Sequence, residues 1–267
     1  MYNNLDFKGK NIHYRDEGSG SVLLFLHGFL ENLNIWDGFY KALSEKYRLI
    51  SIDLPGHGLS DVIAETHSMP LMAEVVKTVM DKCEVKEFVL VGHSMGGYLS
   101  MEIAASYPEM LQGLCLFHSH AMADSEEQKE NRDRVIKIIE ENHHRFVHTF
   151  IPDLFAEANK EKYIAEIQAL QDEAKNISAT SIIAAAKGMK IRESKLEALT
   201  QLTVPVYFII GKEDPRTPLN KMLVQIAMPK HSEAMILENC GHMGYIEEKE
   251  KTINAIRCFA ERCFMLS

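Results

Sequence analysis

The chain has 267 residues, 46% of them apolar and 25% charged, and its 38 acidic and 29 basic residues give a net charge of −9. These proportions exclude a disordered, collagenous or low-complexity chain and suit a globular protein with a sizeable core. The negative balance, with no block of Lys or Arg, argues against nucleic acid or an anionic membrane surface as a partner.

Residues 1–15 mix Asn, Asp, Lys and His with apolar positions and contain no signal-peptide core. Within and just beyond them, segments 5–7 and 12–16, joined by turn residues 8–10, predict an antiparallel hairpin at one sheet edge. Short apolar runs follow at Val22–Leu26, Arg48–Ile52, 88–91, 114–117, 206–210 and 234–237, and these predict buried strands. The run at Val22–Leu26 falls far short of the roughly 18 residues of a membrane-spanning helix, and no membrane insertion is expected. Helical patterns lie between most strands, for example Met95–Ser106, stopped by Pro108, and 219–227, stopped by Pro229. Strand and helix in alternation imply a mostly parallel sheet covered on both faces.

The alternation lapses from about Met122 to Thr200, where only helical stretches occur, one with apolar residues at Val135, Ile138, Ile139, Phe146, Val147 and Phe150. The expected organisation is therefore a core formed by residues 1–120 and 201–267, with a helical module at 121–200 inserted into it. Acidic residues outnumber basic ones by 13 to 8 between residues 121 and 175, as solvated helix faces over an apolar stripe would require. Cys83, Cys115, Cys240, Cys258 and Cys263 form an odd, scattered set without a C-x-x-C pair, which suggests reduced thiols and a cytoplasmic location.

The sharpest local feature is Gly92-His93-Ser94-Met95-Gly96, a G-x-S-x-G pattern between a predicted strand and a predicted helix. Its glycines, lacking Cβ, let strand and helix approach each other around a turn that lifts the Ser94 hydroxyl above the sheet edge. A serine hydroxyl is a poor nucleophile until a base takes its proton, and the base needs a third group to orient it. His242 follows the last predicted strand in Glu238-Asn239-Cys240-Gly241-His242 and is the candidate base. Asp214, in Gly211-Lys212-Glu213-Asp214 after the strand at 206–210, is the candidate acid. Its rivals are Glu213 and Asp124, the latter because it closely follows the strand at 114–117. The order Ser94, Asp214, His242 is that of a serine hydrolase on a doubly wound sheet. For the oxyanion, the backbone amides of Met95, at a helix N-terminus, and of Phe29, in His27-Gly28-Phe29, are the candidate donors.

Together with Asp53-Leu54-Pro55-Gly56-His57-Gly58-Leu59-Ser60, these motifs resemble the α/β-hydrolase fold family over nearly the whole chain. The resemblance implies an α/β, doubly wound, mostly parallel eight-stranded sheet with helices on both faces and a helical cap inserted after strand six. It also implies that Ser94, Asp214 and His242 serve as nucleophile, acid and base. Asp53 and His57 are read as structural, since the 53–60 stretch in relatives shapes the loop beside the site. Haloalkane dehalogenases and similar epoxide hydrolases carry an aspartate where Ser94 stands, so those two chemistries are not expected.

Leu30, Trp36, His118, His120 and Met243, with Phe29, are the candidate pocket residues. His118-Ser119-His120 lacks a third ligand at a diagnostic spacing, so no metal is expected. Nor is there a phosphate-cradling G-x-x-x-x-G-K loop, and no cofactor is expected. His143, His144 and His148 are read as surface residues, His143 and His144 pointing to different faces of a helix. The expected function is hydrolysis of a small or medium carboxylic ester, a small-molecule substrate, through an acyl-enzyme on Ser94 in a monomer or homodimer. Two alternatives keep the same residues: a C–C bond hydrolase or lyase, or a ligand-binding receptor with residual hydrolase activity. The former needs a cation to grip a carboxylated substrate, and Arg145 and Arg216 are the candidates.

Overall fold

The computed structural model describes residues 1–266. In chain order the elements are β1 (Tyr2–Phe7), β2 (Lys10–Glu17), β3 (Val22–Leu26), α1 (Asp37–Leu43), β4 (Arg48–Ile52), α2 (Met69–Lys82), β5 (Phe88–His93), α3 (Met95–Ser106) and β6 (Leu111–Phe117). Next are α4 (Glu126–Phe150), α5 (Ile164–Ala174) and α6 (Ala179–Lys190). Then come α7 (Leu196–Gln201), β7 (Val206–Gly211), α8 (Leu219–Ile226), β8 (Ser232–Leu237), α9 (Gly244–Glu247) and α10 (Lys249–Leu266).

The eight strands form one sheet in the order β1-β2-β4-β3-β5-β6-β7-β8. β1 and β2 make the expected antiparallel hairpin, β2 pairs antiparallel with β4, and the remaining pairs are parallel. The parallel strands read as unbroken apolar runs because both faces are covered. Along β3, Leu24 and Leu26 enter one core cluster with α2 and α3, while Leu23 and Phe25 enter a second with α1 and α10, following the two-residue pleat. β8 departs from the expectation of a buried strand: it has a neighbour on one side only, and Ala234 and Ile236 are exposed.

The chain leaves β3 for β4 on one side and later returns to place β5 on the other. This reversal opens a crevice at the carboxyl ends of the strands. Between β6 and β7 the chain forms helices and connecting loops, with no strand among the described residues. Ser125 starts α4 with a capping box, its hydroxyl accepting from the Gln128 amide while Gln128 accepts from the Ser125 amide. The expected single helix is broken at Asn142 (φ −162, ψ 90), whose side chain accepts from the Arg145 amide at 2.9 Å and so caps the second half. At this break the rings of His143 and His144 lie 4.0 Å apart instead of on different faces. α6 packs against the 55–68 loop: the His67 amide donates to the Ala184 carbonyl at 3.0 Å, and a Cβ on Gly188 would stand 1.8 Å from the His67 carbonyl oxygen. Among the described residues no helix is long and apolar enough to cross a membrane.

Candidate active site

Ser94, His118, Asp214 and His242 follow β5, β6, β7 and β8, so the carboxyl ends of four adjacent strands bring them together. Ser94 sits at φ 50 and ψ −114, a conformation that costs of order 1–3 kcal/mol and survives only where packing enforces it. The packing is visible at the flanking glycines. A Cβ on Gly92 would lie 2.2 Å from Ser100 Oγ, and one on Gly96 would lie 2.3 Å from the Leu26 carbonyl oxygen. The turn therefore presses β5, α3 and the end of β3 together, with the serine at its apex.

The Ser94 hydroxyl is 2.8 Å from His242 Nε2, and His242 Nδ1 is 2.8 Å from Asp214 Oδ2. Burial alone would raise the Asp214 carboxyl, but the charge of His242 and hydrogen bonds from His118 and His242 hold it well below the ordinary value. An ionised carboxylate only accepts, so His242 carries a proton on Nδ1, and its neutral form presents a bare Nε2 to the serine O–H. Asp214 is held from further sides. Its Oδ1 accepts the Arg216 and Thr217 amides at 2.7 and 3.0 Å, and its Oδ2 accepts the Thr217 hydroxyl at 2.5 Å and His118 Nδ1–H at 3.0 Å. Burial pushes His118 down to about 4, so it is neutral near pH 7, and its Nε2 has no partner. Such a chain can draw the proton from Ser94 as the oxygen attacks an electrophile.

A second buried network adjoins the first. Glu31 Oε2 accepts the Gly28 amide at 2.5 Å and His93 Nδ1–H at 2.9 Å, and Oε1 accepts the Tyr245 hydroxyl at 3.1 Å. His93 Nε2–H donates to the His242 carbonyl at 2.9 Å. Burial opposes both charges, yet Glu31 holds the His93 pKa up and His93 holds the Glu31 pKa down, as in an ion pair. This pair ties the Gly28 loop, the Ser94 turn and the His242 backbone to one another. Neither residue stood out in the sequence, where His93 is merely the variable position of G-x-S-x-G. The usable signal was a glutamate three residues beyond the His27-Gly28 turn. A Cβ on Gly28 would be 3.1 Å from Ser94 Cβ, so this loop passes directly beside the hydroxyl. Neither the Phe29 nor the Met95 amide is used by a turn or side-chain acceptor among the described residues.

A cavity of about 420 Å³ opens over Ser94 and His242, walled by Phe29, Tyr98, His120, Phe146 and Phe150 among others. Of the candidate pocket residues, Phe29 and His120 line this cavity. Leu30, Trp36, His118 and Met243 do not line the cavity. Leu30, Trp36 and Met243 are buried in the core cluster on the α1 and α10 face, and His118 is spent on Asp214. Asp124 is not beside His242 but is ion-paired with Arg132 and, at 2.6 Å, with Arg192; Glu213 is exposed. Arg145 and Arg216 are both exposed, but only Arg216 lines the cavity. Asp53 accepts from His13 and from the Leu33 and Leu59 amides, a structural role that shapes the neighbouring loop. Ligand atoms of His118, Asp214 and His242 lie within 4.8 Å of one another, but they are the atoms already joined by hydrogen bonds.

The family model of the alpha/beta hydrolase fold matches residues 21–135. The chain is 28% identical to a 2-hydroxy-6-oxononadienedioate/2-hydroxy-6-oxononatrienedioate hydrolase of Paraburkholderia phymatum, over 90% of this chain and 87% of that one. It is 27% identical to a pimeloyl-[acyl-carrier protein] methyl ester esterase of Nitrosomonas europaea, over 93% and 98%. Among solved structures, a thermophilic esterase from Thermogutta terrifontis superposes with a TM-score of 0.92 at 27% identity, covering 98% of this chain and 99% of that one.

Proposed function

The chain belongs to the α/β-hydrolase fold family, and from that premise we propose that it is a serine hydrolase of small or medium carboxylic esters. The observation that carries this reading is the hydrogen-bonded chain Ser94–His242–Asp214, both links 2.8 Å, at the floor of the cavity. Ser94 Oγ attacks the ester carbonyl while His242 Nε2 takes its proton. The oxyanion is received by the Phe29 and Met95 amides, the latter at the N-terminus of α3. His242 then returns the proton to the leaving alkoxide, and a water activated by the same nitrogen hydrolyses the acyl-enzyme and restores Ser94. The helical insertion over 121–200 serves as a cap, since Phe146, Phe150 and Met189 wall the cavity from its side.

Multiple-turnover hydrolysis of p-nitrophenyl esters from acetate to octanoate tests this. Wild type is expected to show an optimum chain length, and Ser94→Ala to lose about three powers of ten or more in kcat/KM with an unchanged circular dichroism spectrum. A loss below tenfold rejects Ser94 as nucleophile. A second reading, cleavage of a carbon–carbon bond by the same three residues, is favoured by the Paraburkholderia relative, whose name specifies an oxo dicarboxylate. Inactivity on every ester, with turnover of a vinylogous 1,5-diketo acid, selects that reading.

A further inference from the structure

The cavity over Ser94 has positive charge to spare, in a chain whose net charge is −9. Three guanidinium groups, Arg132, Arg192 and Arg216, stand along it or directly behind it, against two carboxylates: Asp124, which two of them share, and Glu31, which is paired with His93. Arg216 is the one left over. It lines the cavity with Ser94 and His242, and among the described residues its guanidinium has no carboxylate within 4.0 Å and donates to no acceptor. Only its backbone amide is engaged, on Asp214 Oδ1 at 2.7 Å.

The nearby acids are occupied elsewhere. Asp214 is bonded to His242, His118 and Thr217, and Asp153, the other acid whose field reaches Arg216, is 3.6 Å from Lys160. The Arg216 guanidinium carbon lies 4.5 Å from the centroid of the Phe150 ring, on the aromatic wall that Phe146 and Phe29 continue. Arg216 is exposed overall, but its packing on this wall and the neighbouring Arg132 both work against its charge, which an anion in the cavity would favour. A planar, aromatic-stacked guanidinium without a partner is suited to taking a carboxylate through two parallel N–H bonds.

We propose that Arg216 is a specificity-determining residue for an anionic substrate: the ester cleaved at Ser94 carries a free carboxylate, which the Arg216 guanidinium binds inside the cavity. The cleavage part rests on the serine-hydrolase reading above, and the carboxylate-binding part does not.

Two substrate pairs place the carboxylate on either side of the scissile bond. Mono-p-nitrophenyl glutarate against p-nitrophenyl valerate tests the acyl side, and 4-acetoxybenzoate against phenyl acetate tests the alcohol side. In one pair, wild type at low salt is expected to prefer the anionic ester at least tenfold in kcat/KM, mostly through KM, and the preference should shrink in 1 M NaCl. Arg216→Gln should lower that preference at least tenfold, and Arg216→Lys, a point charge without the fork, should retain part of it. Neutral esters favoured in both pairs, or a preference that Arg216→Gln leaves intact, overturns the proposal. Calorimetric binding of glutarate and of 4-hydroxybenzoate to Ser94→Ala separates the two readings, because it needs no turnover. Binding weakened tenfold or more by adding Arg216→Gln sustains the carboxylate site even if no ester is cleaved. Equal binding with and without Arg216, or none to either protein, overturns it. Should Arg216→Gln not fold, Arg216→Lys and Arg216→Met are read in the same two assays.

Discussion

Two aspartates illustrate how environment assigns roles at the residue scale. Asp214 accepts from two histidines, a threonine hydroxyl and two backbone amides, and one of those histidines reaches Ser94. Asp124 is as deeply buried, but its oxygens face Arg132 and Arg192. In the proposed mechanism Asp214→Asn presents an amide to His242 and stabilises the wrong tautomer, so kcat should fall by roughly 10³–10⁴ while the protein stays folded. Asp124→Asn should do the opposite. Removing one partner of a buried ion pair strands the others, at about 3–5 kcal/mol, and the urea midpoint should drop while kcat changes less than tenfold. Parallel kinetics and urea unfolding on both variants check this, and a larger kinetic loss in Asp124→Asn would move the acid to the end of β6.

At the scale of elements, the site depends on how closely backbones approach one another. Gly188 on α6 meets the His67 carbonyl so tightly that Gly188→Ala must push the helix away from the 55–68 loop. Overpacking of this kind typically costs 1–3 kcal/mol, and because α6 carries Met189 and Ala186 of the cavity wall, KM should rise as well. An unchanged urea midpoint with unchanged kinetics would show that the insertion tolerates displacement. The strands, the first hairpin, α3 and the alignment of Ser94, Asp214 and His242 were legible in the sequence, because each rests on local pattern: apolar runs, glycine spacing, and a residue's place after a strand. What was not legible depends on contacts between distant segments. Trp36 and Leu30 follow the His27-Gly28 turn as pocket residues would, yet the α1 and α10 side of the sheet claims them for its core. Glu31 and His93 meet only because β3 and β5 are neighbours. His118 shows in the sequence only as half of an H-x-H pair without a third ligand, and its attachment to Asp214 follows from the pairing of β6 with β7.

For the whole molecule, this network of buried histidines makes stability depend on pH in a definite direction. Burial pushes His57 and His120 down to about 3 and His67 and His118 down to about 4, from an ordinary 6.5. Their folded forms stay neutral where the unfolded chain binds protons, so their contribution is complete above pH 6.5 and is lost as pH falls from 6.5 toward 4. His93 runs the other way: Glu31 raises it, so its contribution is present below 6.5 and fades as pH climbs through the raised value. The depressed carboxylates of Asp214, Glu31 and Asp124 lose theirs only below about 4. Near pH 5 the unfolded state therefore binds more protons than the folded one, so stability falls as the pH drops. Urea unfolding at pH 7.5, 6.0 and 5.0 should show the midpoint falling ever more steeply, with loss of structure before pH 4. A midpoint at pH 5.0 equal to that at 7.5 would mean that the buried histidines take up protons without unfolding the chain.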